Sequence, residues 1–219
     1  MAPTITIMDD ARALLRLATW LSPAFPIGGF AWSGGLEAAC AAEAVRDAAT
    51  LDEWCRTLLD HGSLRADATA LAAVHAGADA GATDALVRAL AVSPERLDEL
   101  TEQGAAFAAA AAPWFDEALP VHVLPVAVGE AGRRACIARE ATLIVYLNAA
   151  LTQQVQAAQR LAPIGQRAAT ALLAGLERTI LETAATVSAL APQPPGAFAP
   201  LMDHAAMRHI DLASRIFRS

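Results

Sequence analysis

Residues 134–161, RACIAREATLIVYLNAALTQQVQAAQRL, and residues 163–190, PIGQRAATALLAGLERTILETAATVSAL, decide the fold. Alanine and leucine, two of the strongest helix formers, dominate both. The break between them is Ala162-Pro163, where a proline lacks the N–H that would continue a helix. The spacing predicts two long helices joined by a turn. Upstream, Ala11, Leu14, Leu15, Ala18 and Leu21 follow a 3.6-residue period from Asp10 until Pro23. A loop rich in proline and glycine, Ser22–Gly29, leads to helix signals from about Ser33 to Ala44. Thr50 with Glu53 three residues on has capping-box form and opens a helix through Trp54, Leu58 and Leu59, with Gly62 a candidate break before Leu64–Ala76. Asp79–Ala82 reads as a turn before a short helix to Leu90. Ser93-Pro94-Glu95 supplies a capping hydroxyl, a first-position proline and an early acid for a helix to about Ala111. Val121–Val128 is strand-like in composition, but Pro120 and Pro125 suit a loop that turns helical from Leu124. The expectation is an all-α protein: a single-domain helical array of about eight to ten helices over residues 1–190. A Pro-rich linker, Ala191–Pro200, and a short C-terminal tail make up residues 191–219.

Composition narrows the chemistry. All sixteen basic residues among the 219 are arginine. Without lysine there is no Walker-type phosphate loop, no pyridoxal Schiff base and no lysine nucleophile. The hydrophobic fraction of 55% exceeds the usual share of about 45–50%, and much of the excess is alanine, which argues for helix more than for a large apolar core. Runs such as Ala105–Phe115 and Leu143–Leu151 fall short of the ~20 apolar residues that a span requires, so no membrane segment is expected. Asp9 and Asp10 near the N-terminus do not fit a secretory signal. Cys40, Cys55 and Cys136 are odd in number and lack CxxC spacing, as expected of reduced, mostly packed thiols in a cytoplasmic protein. A net charge of −7 disfavours nonspecific nucleic-acid binding. A positive mean hydropathy without a membrane span suggests a buried subunit interface.

Catalytic patterns do not assemble. Ser33 is preceded at the second position by Ala31, where a nucleophile elbow needs glycine, so a capping or turn role fits it better. The histidines at 61, 75, 122, 204 and 209 form no HExxH. His204 and His209, with Asp203 and Asp211, form a loose cluster; it defines the alternative reading, a helical metal-dependent hydrolase. No catalytic residue, resident metal or cofactor is assigned.

Two segments ask for more than packing. Phe25-Pro26-Ile27-Gly28-Gly29-Phe30, continued by Ser33-Gly34-Gly35-Leu36-Glu37, specifies a shaped loop weighted with aromatics. In the tail, Met207, Ile210, Ser214 and Phe217 fall on one helical stripe, with Arg208, Asp211, Arg215 and Arg218 on an adjacent one. So short a helix is marginal alone and docks either on its own domain or on a partner.

These residues, with Leu14-Leu15-Arg16-Leu17-Ala18 ahead of the loop, carry a resemblance to the urease accessory protein UreF family along nearly the whole chain. Arg160-Leu161-Ala162-Pro163-Ile164-Gly165-Gln166 is similar to the family's Arg-Leu-x-Pro-Leu/Ile-Gly-Gln element. Ser214-Arg215-Ile216-Phe217-Arg218-Ser219 is similar to its terminal Arg-Leu-Phe-Arg-Ser. Two departures are visible: Trp32 stands where many relatives have histidine, and His209-Ile210-Asp211 replaces a common His-Glu. The resemblance implies an all-helical, non-enzymatic chaperone for nickel insertion, acting as a homodimer in the cytoplasm. It would sit between a UreD/UreH-like scaffold and a UreG-like GTPase and reach apo-urease through that complex, with nickel passing along a polar route. It also implies that the tail, here His209 with Arg215, Ile216, Phe217, Arg218 and Ser219, orders on the scaffold. The implied motif residues are Phe25, Pro26, Ile27, Gly28, Gly29, Phe30, Ser33, Gly35, Leu36 and Glu37 in the loop, and Arg160, Leu161, Pro163, Gly165 and Gln166 in the second element.

Overall fold

The computed structural model describes residues 4–219. The chain is all-α, with no strand among the described residues. In order, the helices are α1 (Thr4–Trp20), α2 (Leu36–Ala41), α3 (Ala48–Asp60), α4 (Ser63–His75), α5 (Ala80–Ala89), α6 (Pro94–Ala111), α7 (Leu124–Arg134), α8 (Arg139–Arg160), α9 (Gln166–Leu190) and α10 (Pro200–Arg208). Helix α4 lies at the centre, packed most extensively on α7 and also against α3, α5, α8 and α9; α8 runs along α9.

Local chemistry explains the boundaries. Ser93 caps α6 by accepting from the Arg96 N–H at 3.1 Å, and Asp79 caps α5 by accepting from Ala82 N at 2.6 Å. The capping box of α3 is Asp47 with Thr50, not Thr50 with Glu53: Asp47 Oδ1 accepts from Thr50 N at 2.9 Å, and Thr50 Oγ1 accepts from Asp47 N at 3.1 Å. Helix α1 begins at Thr4, ahead of the Asp10 expected from periodicity, and α2 ends at Ala41 rather than Ala44. Arg134 ends α7 instead of starting α8. Cys136 adopts φ +56°, and the N–H groups of Cys136 and Ile137 return to the carbonyls of Arg133 and Gly132, a Schellman closure without glycine. Ala162, at φ +68°, reverses the chain after α8, so α9 starts at Gln166 rather than Pro163.

The core is built on Leu51, Leu59, Leu71, Leu143, Leu147, Leu151 and Leu176, all fully buried. The alanine surplus lies between helices: Ala68, Ala70 and Ala72 on α4 are also fully buried, and such small side chains let helix axes approach. Trp20 stands edge-on to Phe107, centroids 6.3 Å apart, and Phe25 reaches the same ring at 5.8 Å. Phe25 of the motif loop is therefore a core anchor.

The tail does not form the single amphipathic helix expected from its spacing. After α10 a 3-10 turn, His209–Asp211, ends the helical path, and the last residues run without helix over the body. Met207 and Ile210 remain exposed while Phe217 is buried, so the expected stripe is divided between solvent and core. No helix among the described residues is long and apolar enough to cross a membrane.

Candidate functional site

The loop motif, Arg160 of the second motif and the tail converge on one site. Its floor is residues 30–37, gripped from below by α8. Gln154 Nε2 donates to the Ser33 carbonyl at 3.0 Å while its Oε1 accepts from Trp54 Nε1 at 3.2 Å. Gln153 reaches the Trp32 carbonyl and the Arg160 guanidinium the Phe30 carbonyl. Side-chain donors from one helix thus satisfy the carbonyls of Phe30, Trp32 and Ser33 and leave that of Ala31 to the tail.

On this floor lies the tail, bent at Ile216 and Phe217. Arg218 N donates to the Ala31 carbonyl at 2.8 Å, and Ser33 N donates to the Ser219 main-chain oxygen at 3.1 Å. Ser33 Oγ donates to that same oxygen and accepts from the N–H of Glu37, so the serine joins the start of α2 to the tail. Phe217 and Ser219 are buried and Ile216 and Arg218 exposed, so alternate side chains face the surface beneath. The Phe217 ring sits beneath the Arg160 guanidinium at 4.1 Å, and the Arg218 guanidinium lies 4.3 Å from the centroid of buried Trp32. Arg218 also forks onto exposed Glu102 at 2.5 and 2.8 Å.

Glu37 is the polar centre. Its Oε1 accepts from Ile216 N at 2.6 Å; its Oε2 accepts from Phe217 N at 3.0 Å and meets His209 Nε2 at 2.9 Å. Burial pushes the Glu37 carboxyl up, but the Ile216 N–H, the His209 ring and the Phe217 N–H outweigh it and hold the group below its ordinary range. His209 is wholly enclosed, and its Nδ1 has no partner. Gly35 makes room for α10: it adopts φ +87°, and a Cβ there would come within 2.8 Å of Ala206 N.

Beside this floor is a cavity of about 140 Å³, lined among others by Asp67, Arg96, Glu99, Gln103 and Tyr146 and closed in part by Ala206 and Ser219 of the tail. Arg96 donates to Asp67 at 2.5 Å and to Glu99 at 2.9 Å, and the Tyr146 hydroxyl donates to Asp67 at 3.2 Å. Burial disfavours the Arg96 charge, yet Asp67 and Glu99 more than compensate and hold it protonated; burial and the neighbouring Asp67 push the Tyr146 phenol up.

Of the expected site residues, the structure gathers Phe30, Ser33, Gly35, Glu37, Arg160, His209 and residues 215–219 into one place. His209, Phe217 and Ser219 face inward; Arg215, Ile216 and Arg218 face outward. Leu36 is fully buried under the tail's floor. Pro26, Ile27, Gly28 and Gly29 shape the approach to Phe30, which is 76% exposed. Leu161, Pro163, Gly165 and Gln166 build the α8–α9 turn instead, where Gln166 Oε1 accepts from Gln159 Nε2 at 2.6 Å. The loose histidine cluster does not form: His204 is exposed while His209 is enclosed on Glu37, and among the described residues no group of His, Cys, Asp and Glu is arranged to hold a metal ion. Cys55 is buried, its thiol pushed up to about 12 by burial, whereas Cys136 is exposed. Sequence reasoning missed Gln153, Gln154 and Glu102. The paired glutamines on the inner side of α8 were the available signal, since buried amides need partners.

Comparison with known proteins gives a consistent result. A family model described as UreF matches residues 45–177. The urease accessory protein UreF of Rhizobium etli is 44% identical over 218 residues, covering 96% of this chain and 98% of the relative. That of Cereibacter sphaeroides is 46% identical over 212 residues, covering 95% and 100%. That of Agrobacterium fabrum is 44% identical over 221 residues, covering 96% and 98%.

Proposed function

The chain belongs to the UreF family of urease accessory proteins, and from that membership we propose that it bridges a UreD/UreH-like scaffold and a UreG-like GTPase during nickel insertion into apo-urease. It is an accessory protein rather than an enzyme. In this reading it works in the cytoplasm as a homodimer, nickel is cargo of the assembly, and GTP hydrolysis belongs to the partner.

The observation that carries the reading is the docked tail. Its outer side presents Arg215, Ile216 and Arg218, and Phe30, Met207 and Ile210 are exposed as well. A patch of arginine and apolar side chains on a rigid base has the composition of a protein-binding surface. The inward residues His209, Phe217 and Ser219 hold that surface in place rather than touching a partner. The division into a body over residues 1–190 and a docking segment over 191–219 belongs to the same proposal.

The test is co-purification with the UreD-like and UreG-like proteins, using the intact chain and one ending at Ala206. The reading expects a ternary complex with the intact chain and its loss on truncation. Equal recovery of partners by both chains would overturn it.

A further inference from the structure

The groove that receives the tail has the construction of a peptide-binding site. Residues 31–33 offer one main-chain acceptor and one donor to residues 218–219, as an exposed strand edge does for an added strand. Such pairing is indifferent to sequence and tolerates slippage. A shift by one residue would turn Phe217 outward and bury the Arg218 guanidinium. Something must fix the register. The Phe217 ring under Arg160 contributes, but a ring contact alone leaves the main chain free to slide.

We propose that Glu37 is the positioning residue that sets the register of the tail, and that His209 orients it. The two oxygens of this one buried carboxylate accept from the N–H groups of Ile216 and Phe217, the two consecutive peptide units that flank the Ile216 Cα. That pairing fits only where the chain turns two consecutive N–H groups toward the same point, so it defines one place along the tail. Charge-assisted hydrogen bonds of this kind are about twice as strong as neutral ones. His209 donates from Nε2 to Oε2, and its unpartnered Nδ1 means that the ring makes no other hydrogen bond. Because His209 opens the 3-10 turn that begins the tail, it ties the start of the segment to the carboxylate that holds its end. The outcome is that Ile216 and Arg218 point outward on a fixed base. This inference deepens the functional reading above and rests on it where partner binding is concerned.

The experiment is hydrogen–deuterium exchange on the full chain, read separately over residues 212–219 and over α8, for the wild type, Glu37→Gln and His209→Gln. Affinity for the UreD-like partner is measured on the same samples. Glutamine keeps the shape of Glu37 but retains one acceptor oxygen, so one of the two N–H groups loses its partner. Protection over the tail is expected to fall about tenfold or more in Glu37→Gln, and less in His209→Gln, with α8 unchanged. Partner affinity is expected to fall with it. Should Glu37→Gln lower protection in α8 as well, His209→Gln, read the same way, decides. Unchanged tail protection in a folded variant overturns the role of Glu37. Lost protection with unchanged partner affinity overturns the tail's role in binding and leaves the anchoring role standing.

Discussion

At Gly35 two constraints meet in one residue. The backbone is left-handed at φ +87°, where an L side chain is strained, and the space a Cβ would fill holds the main chain of Ala206. Gly35→Ala is expected to lower stability by about 1–3 kcal/mol, measured by urea unfolding, and to loosen α10 before the body. Glu37 makes a different prediction. Its pKa in the folded chain lies below its ordinary 4.5, so the docked tail favours the ionised form. The contribution to docking is complete above 4.5 and is lost as pH falls through the lowered value. The amide signals of Ile216 and Phe217 should therefore change as pH falls below 4.5, as the carboxylate is protonated. Signals that stay unchanged below that value would contradict the role of the ionised carboxylate.

At the scale of elements, α6 is tied to α4 and α8 through charge as well as packing. Arg96 lies between Asp67 on α4 and Glu99 on its own helix, and Tyr146 on α8 joins the same carboxylate. Removing one member of such a buried set leaves the others uncompensated. Arg96→Met is expected to cost about 3–5 kcal/mol in urea unfolding; a loss below about 1 kcal/mol would mean that water already compensates the two acids. Helix starts were legible where a residue type acts locally, as at Ser93-Pro94-Glu95 and at Leu124, between Pro120 and Pro125. They were misplaced where two local solutions compete. Asp47 and Thr50 each precede a residue able to complete a capping box, and the aspartate three residues upstream wins. The reversal at Cys136 carries neither glycine nor proline, so the start of α8 was read at Arg134 rather than Arg139; the one at Ala162 was marked by Pro163, yet α9 begins three residues later, at Gln166. The tail was misread because Phe217 faces inward under either a helical or an extended period, and only hydrogen bonds to a distant carboxylate decide between them.

For the whole molecule, the three family motifs are separate in sequence and continuous in space. The loop of residues 25–37 forms the groove, Arg160 at the end of α8 clamps it, and the tail fills it. What the sequence could not show is the division of labour within the tail, since burial of alternate residues depends on the surface beneath them. The central claim is that the outward residues of a docked tail meet the maturation partners. The direct measurement is calorimetric titration of the UreD-like scaffold with the full chain, wild type against the double variant Arg215→Ala with Ile216→Ala. Both side chains are exposed, and the main-chain contacts to Glu37 remain. The account predicts an affinity lower by about tenfold or more, with tail protection unchanged. Equal affinity for both chains would contradict it.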